Sequence, residues 1–176
     1  MLSEKDGSRM GYKTHEYYMR RAYDLAAKSY REGGCPIGGV LIENDTGEIL
    51  GEGHNAHVQE GNPILHGETA ALRNAGRRTN RHNTTLYTTL QPCFMCTGSI
   101  IQFGIPRVVI GDVTNTSSDE TVRFLRGKGI EVVILDPATS SAANDCVVLA
   151  ARFRQEKPEL WLETWGGGPN PAIKAS

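Results

Sequence analysis

One constellation constrains this chain more than any other feature: His66-Gly67-Glu68, followed 27 positions after His66 by Cys93 in Pro92-Cys93-Phe94-Met95-Cys96. Both pieces stand where a helix is expected to start. In LHGETAALRNAG (65–76) helical spacing sets in at His66, and Ala70, Ala71, Asn74 and Ala75 form a face of small residues. Taken alone, His66 is an ordinary helix-start residue and Glu68 merely complements the helix dipole. Taken alone, Cys93 and Cys96 could equally be a redox couple, half of a closed metal site or two buried thiols. A redox pair belongs after the first strand of a thioredoxin-like unit, whereas this one follows the third expected strand. A closed zinc site needs two more ligands at matching spacing, and the other cysteines, Cys35 and Cys146, are isolated.

Read together, the pieces define a three-ligand set, His66, Cys93 and Cys96, with a fourth position open as catalytic zinc requires. One helical turn between the cysteines aims both sulfurs to the same side, at a helix N-terminus that favours thiolates. Glu68, which is not a ligand in this pattern, is placed to carry a proton between water and a substrate nitrogen. A His-x-Glu followed by Pro-Cys-x-x-Cys is the pattern of zinc-dependent deaminases of amino-heterocycles.

The surrounding sequence predicts the frame. A helix over 15–32 ends at Gly33-Gly34. The runs 37–42 and 48–55 flank an Asn/Asp/Gly turn and predict a hairpin. Strands are expected over 84–90, 107–111 and 131–135. Helices are expected over 66–77, from 92 to 103, over 119–126 and over 140–155. Strand–helix alternation in the second half implies right-handed crossovers and parallel pairing, to which the hairpin adds an antiparallel element. The expected fold is α/β, a three-layer α/β/α sandwich around a mixed five-stranded sheet. A single domain spans 1–165, with a flexible tail over 166–176; Trp161 and Trp165 are expected to dock the segment before the tail. A chain 39% hydrophobic and 22% charged is ordinary for a globular domain. No run is apolar enough for a signal peptide or a membrane span, and few cysteines suggest a reducing compartment, so a cytoplasmic location is expected. A net charge of −1 provides no global field toward nucleic acid or membrane. The cluster Arg73, Arg77, Arg78, Arg81 and His82 is read as cations near a helix C-terminus, with no stacking aromatics among them.

With Gly34-Cys35-Pro36-Ile37-Gly38-Gly39, Gly53-His54-Asn55 and Thr88-Thr89-Leu90-Gln91 added to the two metal pieces, the chain closely resembles fungal-type cytosine deaminases of the cytidine-deaminase-like superfamily. The likeness runs from about Tyr23 to Trp161 and includes Phe103-Gly104-Ile105-Pro106-Arg107. The resemblance implies zinc, one per subunit, on His66, Cys93 and Cys96, with Glu68 as proton shuttle. It implies that Asn55 and the Gly67 N–H bind the ring's carbonyl or nitrogen, that the Gln91 carbonyl accepts from the leaving amino group, and that Ile37 and Trp161 line the pocket. It also implies a homodimer paired through helices beside the metal site, and a small heterocyclic amine as the only substrate partner, without nucleic acid or membrane.

Two places depart from that pattern. Where the family has an aspartate contacting the base, three residues after the tail tryptophan, this chain has Thr164; the neighbouring Glu163 is the candidate replacement carboxylate. A neutral hydroxyl does not equal a carboxylate facing a ring N–H. Where the family covers the pocket with a phenylalanine, this chain has the polar stretch Thr114-Asn115-Thr116-Ser117-Ser118. Cytosine is therefore the first expected substrate, with isocytosine, guanine, pterin, triazine or creatinine-like rings as alternatives. A tRNA adenosine deaminase or an inactive zinc-binding module are further readings. Cys35 and Cys146 are expected to be buried and inert, and His15, His54, His57 and His82 structural or superficial.

Overall fold

The computed structural model describes residues 13–165. Thr14 opens α1 (His15–Arg31) by accepting the Tyr17 N–H on its hydroxyl at 3.2 Å. Gly33, at φ +89°, takes the chain out of the helix in a conformation that favours glycine. Strands β1 (Gly38–Glu43) and β2 (Ile49–His54) then form the anticipated antiparallel hairpin. A single turn, α2 (His57–Glu60), precedes α3 (Gly67–Ala75), β3 (Thr84–Thr88), α4 (Phe94–Gln102) and β4 (Arg107–Ile110). The rest is α5 (Glu120–Gly127), β5 (Glu131–Ile134), α6 (Ser141–Glu156) and α7 (Pro158–Trp165).

The five strands form one sheet in the order β2-β1-β3-β4-β5. β1 pairs antiparallel with both β2 and β3, while β3–β4 and β4–β5 are parallel. Tyr18, Met19 and Ala22 of α1 and Ala142 and Cys146 of α6 cover one face, against Val40, Ile42, Tyr87 and Val109. The other face packs Leu41, Leu86, Val108 and Ile110 against Ala71 and Leu72 of α3, Ile100 of α4, and Val122 and Leu125 of α5. Covered on both faces, β1 and β3 are buried almost throughout, which is why they read as continuous rather than alternating runs. The three-layer mixed architecture matches the expectation.

Two helices were not anticipated. α2 is too short to show a period and ends at Gly61 (φ +59°). α7 begins with Pro158, whose fixed φ and missing N–H suit the first helical position. Its buried side chains, Trp161 and Thr164, lie three apart on one side. Trp161 joins Cys35, Ile37, Leu90, Ala150 and Phe153 in a third apolar cluster, so the segment is docked, as its tryptophans suggested. The tail expected over 166–176 lies outside the described residues.

Candidate metal centre and active site

The N-termini of α3 and α4 converge where β1 begins and β3 ends. α3 can lie directly on the hairpin because the hairpin offers glycines. A Cβ on Gly39 would stand 2.5 Å from the Gly67 carbonyl oxygen, and one on Gly53 would stand 2.6 Å from the Ala70 Cβ. Near the far end of α3, a Cβ on Gly51 would stand 2.4 Å from the Ala71 carbonyl oxygen and from the Ala75 N. Glycines facing the small-residue face of the helix thus set the depth at which His66 and Glu68 enter the core.

His66 is the extended N-cap of α3 (φ −83°, ψ 170°), and its backbone N–H donates to Thr69 Oγ1 at 2.9 Å. Cys93 is the extended N-cap of α4, with Cys96 inside its first turn. His66 Nδ1 lies 3.4 Å from Cys93 Sγ and 3.6 Å from Cys96 Sγ, and the three ligand atoms fall within 4.8 Å of one another. Ligand bonds of about 2.0–2.3 Å at tetrahedral angles separate nitrogen and sulfur by roughly 3.5 Å, so these three side chains fit zinc without rearrangement. It is the one such cluster among the described residues.

The electrostatics suit a cation. The Cys93 thiol is lowered to about 4, first by its hydrogen bond with the Cys96 thiol and then by His66, against the cost of burial. Cys96, the buried member of the pair, is raised by its Cys93 hydrogen bond and by burial. Burial lowers the His66 imidazole, but the Cys93 hydrogen bond and the charges of Glu68 and Cys93 leave it raised. Glu68 is raised chiefly by burial and then by the Cys93 charge.

Glu68 is 2% exposed, with Oε2 3.4 Å from Cys96 Sγ. Thr88 Oγ1 stands 3.0 Å from Glu68 Oε1 and 2.9 Å from the Leu90 carbonyl oxygen. A hydroxyl has one proton and two lone pairs. Thr88 can therefore donate to an ionised Glu68, or accept from a protonated one while donating to Leu90, and hold the carboxyl in place through both states.

Beside these groups lies a small cavity of about 10 Å³, the room of one water. Ile37, His66, Glu68, Gln91, Cys93 and Thr164, all anticipated for the site, line it. Leu90 and Trp165 complete the wall. Asn55 is fully buried. Its N–H donates to the Ile37 carbonyl at 2.8 Å, its carbonyl accepts from Ser29 Oγ at 2.7 Å, and its Oδ1 accepts from the His57 N–H at 3.3 Å. Its Nδ2, also buried, has no acceptor among the described residues. Gly67 lies against β1, where a Cβ would stand 2.9 Å from the Gly38 carbonyl carbon.

Two residues sit elsewhere than expected. Glu163 does not turn inward: its carboxylate is half exposed and pairs with His57 Nε2 at 2.9 Å, because its place on α7 faces α2. It therefore supplies no carboxylate to the cavity. Trp161 sits in the third apolar cluster with Ile37 and Leu90, while Trp165, one helical turn on and packed against the same cluster, lines the cavity. The side chain of Gln91 is committed elsewhere, donating to the Ser118 carbonyl (2.7 Å) and Thr121 Oγ1 (2.9 Å) and accepting from Thr116 Oγ1 (3.2 Å). Its backbone N–H donates to the Asp112 carbonyl at 2.8 Å, which leaves the backbone carbonyl, the group expected to meet the amino group. The polar loop after β4 is tied down by Asp112, which accepts from the Thr114 N–H and hydroxyl and from the Asn115 side chain, each at 2.7 Å. Thr164 is buried and its hydroxyl donates to the Leu160 carbonyl at 2.9 Å.

Trp165, which lines the cavity, and Thr88, which contacts Glu68, were not anticipated for the site. Spacing would have found the first: Trp161, Thr164 and Trp165 fall at i, i+3 and i+4, one face of a helix. Nothing local distinguishes Thr88 from its neighbours in Thr84–Leu90.

Residues 12–112 match the family model of the cytidine and deoxycytidylate deaminase zinc-binding region, and the chain belongs to that family of zinc-dependent deaminases, hydrolases of C–N bonds other than peptide bonds. It is similar to the cytosine deaminase of Candida albicans, 45% identical over 147 residues that cover 82% of this chain and 92% of that one. The tRNA-specific adenosine deaminase of Haemophilus influenzae is 38% identical over 109 residues, covering 60% of this chain and 62% of that one. Among solved structures, a guanine deaminase from Nitrosomonas europaea shares the fold with a TM-score of 0.67 at 19% identity, over 83% of this chain and 90% of that one.

Proposed function

We propose that this chain hydrolyses the amino group of a free, small amino-heterocycle, with cytosine, converted to uracil and ammonia, as the first substrate. The observation that carries the reading is that a carboxyl placed for proton transfer and three zinc-ligand atoms line or adjoin one small cavity. The 45% identity with the Candida albicans enzyme supports cytosine as the ring.

Zinc on His66, Cys93 and Cys96 supplies, when bound, Lewis-acid activation of the attacking water. Glu68 takes a proton from that water and returns it to the departing nitrogen, so that water adds its oxygen to the ring carbon and the amine leaves as ammonia. Its raised pKa suits it to both halves of that transfer. Thr88 keeps the carboxyl aligned through the exchange. The partnerless Nδ2 of Asn55 and the Gly67 N–H hold the ring carbonyl, the Gln91 carbonyl accepts from the amino group, and Ile37 forms an apolar wall. Thr164 accepts from a ring N–H, its own proton being engaged by Leu160. A ring exceeds the free space, so its entry displaces the Thr164–Trp165 wall.

A second reading, deamination of another ring at the same centre, is favoured by Thr164, a neutral group where the family pattern has a carboxylate. Ammonia release from purified protein against cytosine, isocytosine, guanine, pterins, triazines, creatinine and the matching nucleosides separates these; activity confined to nucleosides or tRNA would overturn the proposal. The same reading assigns the chain to pyrimidine salvage in the cytoplasm, testable by fractionation. It also assigns a homodimer paired through α4, where Phe94, Met95 and Phe103 are exposed; light scattering on the purified protein tests it.

A further inference from the structure

Five buried side-chain polar atoms have no hydrogen-bond partner among the described residues, and two of them are N–H donors of residues assigned to the site or lining its cavity: Asn55 Nδ2 and Trp165 Nε1. The first is accounted for by a ring carbonyl. The second has no place in the reading above. An indole N–H is a donor only, and a buried one ordinarily finds an acceptor. Here it belongs to a residue of the cavity wall, next to Thr164, whose hydroxyl proton is held by Leu160. The α7 side of the cavity thus carries a neutral hydroxyl and, on the next residue, an unpartnered neutral donor.

Placing a six-membered ring against these groups fixes what Trp165 can meet. The amine-bearing carbon must face Glu68 and the metal ligands. The carbonyl two atoms away goes to Asn55, and the ring N–H beyond it to Thr164. Of the three ring atoms left, the nitrogen between the amine-bearing carbon and the carbonyl lies on the Asn55 side, and the other two, between the amine-bearing carbon and the ring N–H, complete the edge toward α7. In cytosine both are C–H, and the indole N–H would stay unpaired. A nitrogen at either place would accept it.

We propose that Trp165 Nε1 is a specificity-determining donor, and that this site prefers an amino-heterocycle carrying one more acceptor nitrogen than cytosine on the edge toward α7, an aza-substituted pyrimidinone. The inference rests on the free-ring deaminase reading. Pairing an otherwise orphaned buried donor favours such a ring by roughly tenfold to a hundredfold.

The test uses the zinc-loaded full chain and three product-shaped inhibitors, uracil, 5-azauracil and 6-azauracil, buffered where all are neutral. Their inhibition constants are measured against whichever ring of the panel is turned over. One of the two aza isomers is expected to bind at least tenfold more tightly than uracil, and Trp165→Phe, which keeps the aromatic wall and removes the N–H, to abolish that difference. Equal binding of all three rings by the unaltered protein would overturn the inference, whether or not the variant folds. So would an aza preference that survives in Trp165→Phe. Turnover of cytosine with either result leaves the parent reading standing, whereas no ammonia from any ring overturns both.

Discussion

If glycines set the depth of α3, adding one methyl group at Gly39 should disable the site while leaving the fold. The Cβ of Gly39→Ala would stand 2.5 Å from the Gly67 carbonyl oxygen and 2.7 Å from its carbon. Ordinary van der Waals contact begins at 3.4 Å, so strand and helix must part by about 0.9 Å at the residue between His66 and Glu68. Overpacking of this kind costs about 1–3 kcal/mol of stability. A shift near 1 Å in a catalytic group costs on the order of a hundredfold in rate. Gly51→Ala supplies the control, because its Cβ meets Ala71 and Ala75 at 2.4 Å, about a turn or more beyond Glu68. Both variants should lose similar stability in urea titrations, yet only Gly39→Ala should lose about a hundredfold in kcat/KM for ammonia release with its zinc retained. If Gly51→Ala loses as much activity at equal stability, the glycines govern folding alone and the argument fails.

Glu68→Gln should retain zinc by elemental analysis and lose turnover by about 10²–10⁴-fold, the usual contribution of general acid–base transfer; retained turnover would remove Glu68 from the mechanism. Thr88→Val should lower kcat by roughly tenfold to a hundredfold, the worth of a hydrogen bond to a charged group, with little change in KM. Stripping the metal with a chelator should let iodoacetamide at pH 6 alkylate Cys93, held near 4, ahead of Cys35, which burial pushes up to about 12, and Cys146, which burial also raises; mass spectrometry reads the order. Glu16 accepts from the Ser140 and Ser141 hydroxyls and the Ala142 N–H at the start of α6. These bonds outweigh burial and depress its pKa below 4.5, so its stabilisation is present above that value and lost as pH falls through the folded value. Glu16→Gln should therefore cost about 1 kcal/mol at pH 7, a capping-sized effect after solvent screening, and progressively less below pH 4.5.

The parts of this protein that were legible in the sequence are those a short segment can specify. His66 and Glu68 share one helical turn, Cys93 and Cys96 share another, and each helix start carries its own signal in residue type and spacing. The sheet was legible for a related reason: β-branched and apolar runs separated by helical periods admit few topologies. The small-residue face of α3 was visible too, since Ala70, Ala71 and Ala75 announce close packing, although not that glycines of the hairpin would meet it. What escaped were contacts between segments far apart in the chain. Glu163 lies beside Thr164, and no local signal says that His57, more than a hundred residues earlier, will hold it outward. Trp161 and Trp165 share one face of α7 and pack against one cluster, so helical spacing alone does not say which of them borders the cavity.

Different elements of the fold carry the metal-ligand cluster and the cavity wall on α7. The reacting groups sit on helix ends fixed to the sheet, with Glu68 and Cys96 almost completely buried. The wall that a ring must displace is carried by α7, which reaches the site from the end of the described chain and is fastened by the third apolar cluster and by the partly exposed His57–Glu163 pair. A substitution at Thr164 or Trp165 alters the hydrogen bonds offered to the ring edge without touching a metal ligand, whereas one at Gly39 moves the chemistry without touching the ring edge. Activity toward different rings should accordingly vary with α7, and activity toward every ring alike with the hairpin. A Thr164 variant that lost all turnover while keeping its fold and zinc would show that the two parts are not separable in this way.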